Sequence, residues 1–554
     1  MNRRVLEVEN LTIESVATRA PVVRGVNLAI APGEVLAIIG ESGSGKTTLG
    51  LTALGHIRPG LKATSGRVLL DGADVLTLDP AMLCKIRGSH VAYVAQSAAA
   101  SFNPSLMIGE QVIEPALVHR IMPANQARAR SLELYGELAL PDPVHIGARY
   151  PHQVSGGQLQ RLMAAMAICC GPKLLILDEP TTALDVTTQI GVLEAFKRAI
   201  RHQGAAALYI SHDLALVSQI ADRILVIHNG VVQEEGSSEA VITAPKAPYT
   251  RTLLAACKKW TPGAVAAPTA IAGPPLLNIS NVTAGYGRNR DQNPVVVAVK
   301  SVDLVVRRSS VLAIIGESGS GKSTLARVVA GLLPPARGTI QLAGERLPDS
   351  VQKRSKDALR RIQMVFQSPD VALNPAHTVG QILGRPLTLF RGKAARERGE
   401  LVRDLLEMVQ LPPEFERRKP DQLSGGQKQR VNLARALAAD PELILCDEIT
   451  SALDTIVAAS IIELLRRLRT ERGLAFMFIT HDISTAASFA DEIAVMHRGE
   501  IVERGPTDEV LNRPQHAYTK ILVASVPQLQ AGWLEGAVAR RKRLLGAGGL
   551  AMAD

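Results

Sequence analysis

VLAIIGESGSGKTTL at Val35–Leu49 and VLAIIGESGSGKSTL at Val311–Leu325 are nearly one stretch used twice, differing only where Thr47 meets Ser323. Each begins with five apolar residues, passes through GxxxxGK[ST] and continues into a helix-compatible run, which reads as strand, glycine-rich loop, helix. The glycines, Gly40, Gly43 and Gly45 in one copy and Gly316, Gly319 and Gly321 in the other, let successive backbone N–H groups turn inward with no Cβ in the way. At the positive end of a helix that arrangement is a phosphate cradle. Ser42, Ser44 and Thr48 complete the expected binding set in the first copy, and Ser318, Ser320 and Thr324 in the second. Lys46 and Lys322 are expected to meet the β and γ phosphates of ATP, and Thr47 and Ser323 to supply a hydroxyl to Mg2+.

With 554 residues the chain is too long for a single core and suits two domains. Aromatic residues make up only 3%, so the cores are expected to be built from Ala, Val, Ile and Leu, as in helix-covered parallel sheets. An α/β fold follows. The 5 cysteines have no CxxC spacing, which argues against a disulfide framework, a zinc site or an iron–sulfur cluster. No apolar run reaches membrane-spanning length, and MNRRVLEVENLTI at the start reads as a strand, not a signal peptide; the expectation is a soluble, intracellular protein. A formal charge of +10 is dispersed apart from clusters such as Arg540–Arg543, so nucleic-acid binding is not expected.

The repeat extends well past the loops. Lys46 and Lys322 lie 276 positions apart, Gln96 and Gln367 lie 271 apart, and Ser155/Ser424, Asp178/Asp447, His212/His481 and Tyr249/Tyr518 are all separated by 269. A constant offset across so long a stretch means equivalent secondary structure without insertions, the mark of a duplicated domain. We expect a first domain at residues 1–260, an Ala/Pro-rich connector at 261–275 and a second domain at 276–554. Leu174–Pro180 (LLILDEP) and Leu443–Thr450 (LILCDEIT) read as buried strands ending in acids, followed by LYISHD and MFITHD at Leu208–Asp213 and Met477–Asp482. Ligands bind at such carboxyl ends in open α/β sheets. Asp178 and Asp447 are placed to reach Mg2+, and Glu179 and Glu448 to act as general bases on an attacking water. A polar, helical stretch around Lys393–Gln410 suggests a helical subdomain inserted in each copy.

PHQVSGGQLQR (Pro151–Arg161) and PDQLSGGQKQR (Pro420–Arg430) add a second phosphate-binding helix start to each half, with Ser155 or Ser424 as the cap. With the glycine loops, these motifs make the chain resemble the ATP-binding-cassette ATPases over nearly its whole length. The resemblance implies two tandem P-loop NTPase domains, ATP and Mg2+ as cofactors, and two ATP sites formed head to tail between the halves. One would pair Lys46 with Ser424, Gly425, Gly426 and Gln427, the other Lys322 with Ser155, Gly156, Gly157 and Gln158. It further implies that Gln96 and Gln367 sense metal and water, that His212 and His481 contact the γ-phosphate, that Ala183–Asp185 and Ala452–Asp454 are D-loops, and that Tyr286 stacks on adenine. The first copy has Ser15 where the second has Tyr286.

SFNPSLMIGEQ (Ser101–Gln111), ALNPAHTVGQI (Ala372–Ile382), APYTRTLL (Ala247–Leu254) and HAYTKILV (His516–Val523) look like the dipeptide, oligopeptide and nickel branch of bacterial importers in its fused form, similar to ATPases of glutathione and microcin-type peptide uptake. That branch implies two membrane permease subunits, an extracytoplasmic solute-binding protein and a place on the cytoplasmic face of the bacterial inner membrane. The alternative is a soluble tandem ATPase acting on ribosomes or nucleic acid. A short Ala/Pro-rich connector, in place of a long charged helical one, argues against it.

Overall fold

The computed structural model describes residues 4–181, 184–257, 273–287, 294–451, 453–530 and 532–548. Most of the expected connector, together with Ala183 and Ala452 of the D-loops, lies outside these. The chain forms two compact units, Met1–Lys258 with Pro527–Asp554, and Lys259–Val526.

In the first unit the strands are β1 (Leu6–Ser15), β2 (Pro21–Ile30), β3 (Val35–Ile39), β4 (Leu61–Leu70), β5 (Ala73–Asp74), β6 (Val91–Val94), β7 (Leu174–Asp178), β8 (Ala206–Ser211), β9 (Arg223–His228) and β10 (Val231–Ser237). They form an antiparallel sheet in the order β2-β1-β4-β5 and a six-stranded sheet in the order β10-β9-β3-β8-β7-β6. In the second sheet β3 lies parallel between β8 and β9, and only β10 runs antiparallel. Every residue of β3, β7 and β8 is buried, because both faces of this sheet are covered. That is why these strands are continuous apolar runs, while β1 and β2 alternate between buried and partly exposed positions.

The second unit repeats the design. Its strands are β11 (Pro275–Tyr286), β12 (Val296–Arg307), β13 (Val311–Ile315), β14 (Arg337–Leu342), β15 (Glu345–Arg346), β16 (Ile362–Val365), β17 (Leu443–Asp447), β18 (Ala475–Ile479), β19 (Glu492–His497) and β20 (Glu500–Pro506). The sheet orders are β12-β11-β14-β15 and β16-β17-β18-β13-β19-β20, equivalent strand for strand to those of the first unit. In each unit the strand before Gln96 or Gln367 (β6, β16) and the strand ending in Asp178 or Asp447 (β7, β17) bracket a helical insert. In the second unit its helices are Val379–Arg391, Ala395–Met408 and Gly425–Leu437, packed around Val379, Leu383, Leu387, Leu406 and Val431. The middle helix falls inside the polar segment expected at Lys393–Gln410.

The last helix among the described residues, Trp533–Gly548, groups with the first unit, whereas the expected second domain ran from 276 to 554. Trp533, Leu534 and Ala537 are buried on it. Gln219 accepts a hydrogen bond from Leu534 N–H at 3.1 Å and donates to the carbonyls of Gln528 and Gln530 at 3.0 Å each. Lys197 pairs with Glu535 at 2.8 Å, and Arg541 donates to the Thr187 carbonyl at 3.0 Å. Lys197 and Thr187 lie on helix Val186–Gln203, which starts just after the first D-loop.

Candidate functional site

Both glycine loops join the central strand of their sheet to a helix, β3 to Lys46–Thr52 and β13 to Lys322–Val329. Gly45 and Gly321 have φ of 95° and 106°, a left-handed conformation that a residue with Cβ adopts only at a cost. At Gly40 and Gly316 the constraint is contact, since a Cβ there would sit 2.0 Å from the Ile227 carbonyl or 2.1 Å from that of Met496. Lys46 Nζ donates to the Gly40 and Glu41 carbonyls at 2.8 and 2.7 Å, and Lys322 Nζ to those of Gly316 and Glu317 at 2.8 and 2.6 Å. Each buried ammonium is thus held at the mouth of its own loop.

Asp178 and Asp447 arrive at the ends of β7 and β17, each separated from its loop strand by one intervening strand, β8 or β18. Thr47 Oγ1 donates to Asp178 Oδ1 at 3.1 Å, and Ser323 Oγ to Asp447 Oδ1 at 2.8 Å. Burial raises the pKa of both aspartates, against the hydrogen bonds that favour the ionised form. In the first unit Tyr93 also donates to Asp178 Oδ2 at 2.7 Å, a contact the sequence reading did not single out.

Glu179 and Glu448, one residue beyond the strands, both have φ of 48°, an uncommon conformation for a non-glycine residue and one that clusters at functional sites. Their backbone N–H groups donate to Ile210 and Ile479 on the adjacent strands at 2.9 Å. Each carboxylate meets a glutamine and a histidine: Gln96 Nε2 donates to Glu179 at 3.1 Å and Gln367 Nε2 to Glu448 at 3.0 Å. His212 Nδ1 lies 3.2 Å from Glu179, and His481 Nδ1 lies 3.4 Å from Glu448.

Burial opposes the charged form of His481, but hydrogen bonding to Glu448 and its negative charge outweigh burial, so the ring's pKa rises above its ordinary value of 6.5. Burial likewise disfavours the Glu448 carboxylate, and His481 reverses this, lowering its pKa. A raised histidine stabilises the fold fully below its unfolded pKa and loses that contribution as pH climbs through the raised value. Replacing His481 with Gln is therefore expected to lower the Tm of the nucleotide- and metal-free protein more at pH 6 than at pH 9. Equal shifts at the two pH values would count against the ion pair.

The signature serines begin helices Gly156–Ile168 and Gly425–Leu437. Ser155 Oγ accepts from Gln158 N–H at 3.3 Å while Gln158 Oε1 accepts from Ser155 N–H at 3.1 Å, and Ser424 and Gln427 repeat the reciprocal cap at 3.4 and 3.0 Å. The two glycines of each signature do different things. A Cβ on Gly157 would meet Thr188 Cγ2 at 2.2 Å and one on Gly426 would meet Val457 Cγ1 at 2.5 Å, so these glycines allow close helix packing. Nothing lies within 4 Å of a Cβ on Gly156 or Gly425, so packing does not demand glycine there. In the D-loops, Asp185 caps helix Val186–Gln203 through Thr188 N–H at 3.0 Å and Asp454 caps helix Thr455–Arg472 through Val457 N–H at 3.0 Å.

Four strands, a glycine loop and a helical insert thus bring the dispersed motifs of each unit together, and known families account for both cores. A model described as "ABC transporter" matches residues 23–182 and again 299–451. The chain belongs to the ABC transporter ATPase family. It binds and hydrolyses ATP. A second model, "Oligopeptide/dipeptide transporter, C-terminal region", matches residues 233–280 and 502–547. Among relatives, a "Peptidoglycan transport ATP-binding protein YejF" of Agrobacterium fabrum is 38% identical, covering 91% of this chain and 93% of its own. A "Glutathione import ATP-binding protein GsiA" of Pectobacterium atrosepticum is 36% identical, covering 95% and 90%. A solved structure of cbiO1 from Clostridium perfringens, part of an ABC transporter complex, is 27% identical, covers 43% of this chain and 91% of its own, and has a TM-score of 0.39.

Proposed function

We propose that this ABC ATPase energises a bacterial importer of peptides or related small solutes, working with two membrane permease subunits and an extracytoplasmic solute-binding protein at the cytoplasmic face of the inner membrane. The observation that carries the proposal is that each complete set of nucleotide motifs is followed by a segment matching the oligopeptide/dipeptide transporter C-terminal model. The names of the relatives, peptidoglycan transport and glutathione import, point the same way. Among the described residues no helix is long and apolar enough to cross a membrane, so the pore is assigned to other subunits. Leu106 and Met107 after Gln96, and Val371 after Gln367, are exposed apolar residues, and we assign these segments to receive the permeases. Reconstitution of the complex purified from its host tests this reading: ATP-dependent uptake of a peptide solute supports it, and co-purification with ribosomes without any membrane subunit refutes it.

For the chemistry, we assign Thr47, Asp178 and Gln96 in one half, and Ser323, Asp447 and Gln367 in the other, to Mg2+. The adjacent hydroxyl and carboxylate oxygens suit a hard cation that keeps phosphate and water in its remaining positions. Bound there, Mg2+ would neutralise charge on the phosphates. Glu179 and Glu448 accept the proton of the attacking water, while Gln96, Gln367, His212 and His481 orient these carboxylates. The glycine loops grip the triphosphate. By the resemblance to the family, each site is completed by the Ser-Gly-Gly-Gln segment of the opposite half.

The two sites differ at the base. Tyr286, 42% exposed at the end of β11, has its hydroxyl fixed by Thr324 at 3.1 Å and Arg327 at 3.2 Å, while Ser15 ends β1. Stacking on an aromatic contributes about 1–3 kcal/mol per base in nucleic-acid binders, and with phosphate contacts dominating we expect the low end, a preference of about fivefold in ATP affinity for the site holding Lys322. Nucleotide titration of Lys46→Ala and Lys322→Ala variants checks it, and Ser15→Tyr is expected to strengthen the weaker site. Equal affinities, with no gain from Ser15→Tyr, refute the assignment.

A further inference from the structure

The segments APYTRTLL and HAYTKILV have a role that motif reading did not reveal. Glu41 N–H donates to Tyr249 Oη at 3.2 Å, and Glu317 N–H donates to Tyr518 Oη at 2.9 Å. Both acceptors come from the C-terminal helices Pro248–Ala256 and Ala517–Ala524, which lie beyond the stretches matching the ABC core. Both donors belong to the first peptide of a glycine loop. No described peptide bond is cis, so the N–H and C=O of that peptide point in opposite directions. The tyrosine therefore takes one end of the 40–41 peptide while Lys46 takes the other, the Gly40 carbonyl, at 2.8 Å. In the second unit Tyr518 and Lys322 hold the 316–317 peptide in the same way.

The tyrosines are themselves braced against the strand that flanks the loop. The Tyr249 ring stacks on His228 with centroids 4.2 Å apart, and the Tyr518 ring lies tilted against His497 at 4.0 Å. Those histidines directly follow Ile227 and Met496, whose carbonyls press on Gly40 and Gly316. Tyrosine hydroxyl and lysine thus hold the two ends of one peptide plane, and the ring contact holds the tyrosine. A glycine-led peptide rotates easily when unheld, and its rotation would carry away a carbonyl that positions the lysine.

We infer that Tyr249 and Tyr518 are positioning residues for nucleotide binding: each preorganises its phosphate loop and lysine before ATP arrives. Through them the C-terminal segment, absent from the core cassette, acts directly on the ATP site. The inference concerns ATP binding and is independent of which solute is carried.

Tyr→Phe keeps the ring stack and removes only the hydroxyl. In the full chain, the Tyr249→Phe, Tyr518→Phe double variant is expected to raise the half-saturating ATP concentration about three- to tenfold, the span of one ordinary hydrogen bond, with turnover at saturation within about twofold. Hydrogen–deuterium exchange without nucleotide gives a readout that general destabilisation does not mimic. Tyr518→Phe alone should speed exchange in the peptide covering 311–322 and leave 35–46 unchanged, and Tyr249→Phe alone the reverse. Unchanged half-saturation, a fall in turnover without a rise in half-saturation, or faster exchange spread through a whole unit would each overturn the inference.

Discussion

Replacing Glu179 and Glu448 together with glutamine is expected to lower ATP turnover by about two to four orders of magnitude, the usual contribution of a positioned general base, while ATP binding persists. The exchange is nearly isosteric. It removes the negative charge but leaves an amide that can still meet Gln96 and His212, or Gln367 and His481, at the present 3.0–3.4 Å distances. Binding persists because the loop amides and the lysines, not these acids, hold the phosphates. Each single variant is expected to lose turnover measurably, since both halves keep the whole arrangement, from loop lysine to histidine. Phosphate-release assays beside equilibrium nucleotide binding decide the matter. If Glu179→Gln leaves turnover unchanged while Glu448→Gln abolishes it, the first glutamate does not serve an independent catalytic site.

Leu534→Ala is expected to destabilise the first unit by about 2–5 kcal/mol, the range for emptying a buried leucine position, although residue 534 lies in the second half of the sequence. Its side chain is 2% exposed and its N–H is held by Gln219 at 3.1 Å. Loss of the contact also weakens the seat of helix Trp533–Gly548 beside Val186–Gln203. A transition for a unit of this size should move by roughly 3–8 °C. Calorimetry combined with limited proteolysis, identifying which unit opens first, separates this result from its alternative. If the second unit opens earlier and the first does not, the helix does not support the fold to which its hydrogen bonds connect it.

Much of the site was legible because its chemistry demands residue types at short, fixed separations. A phosphate loop needs its glycines and lysine within nine residues, and a Walker B acid must sit at the end of an all-apolar strand, so both can be read directly at Gly40–Thr48 and Leu174–Asp178. The roles of the two signature glycines were not legible in this way. Gly156 and Gly157 are neighbours in sequence, yet only the second faces a packed helix.

The sequence by itself determined the duplication, the α/β class, the strand-loop-helix at each phosphate loop and the acids, glutamines and histidines that gather there. Local periodicity and fixed spacing carry that information, and the 269-residue offset carries it from one half to the other. Only the tertiary structure decided that Tyr249 reaches Glu41 across 208 residues and Tyr518 reaches Glu317 across 201. It also decided that residues 527–548 complete the first unit, and that Tyr93 bonds Asp178. Each of these joins segments distant in sequence, through contacts set by strand order, by apolar burial and by which buried polar group needed a partner. Neither strand order nor the pairing of buried polar groups has a period or a spacing that can be read along the chain.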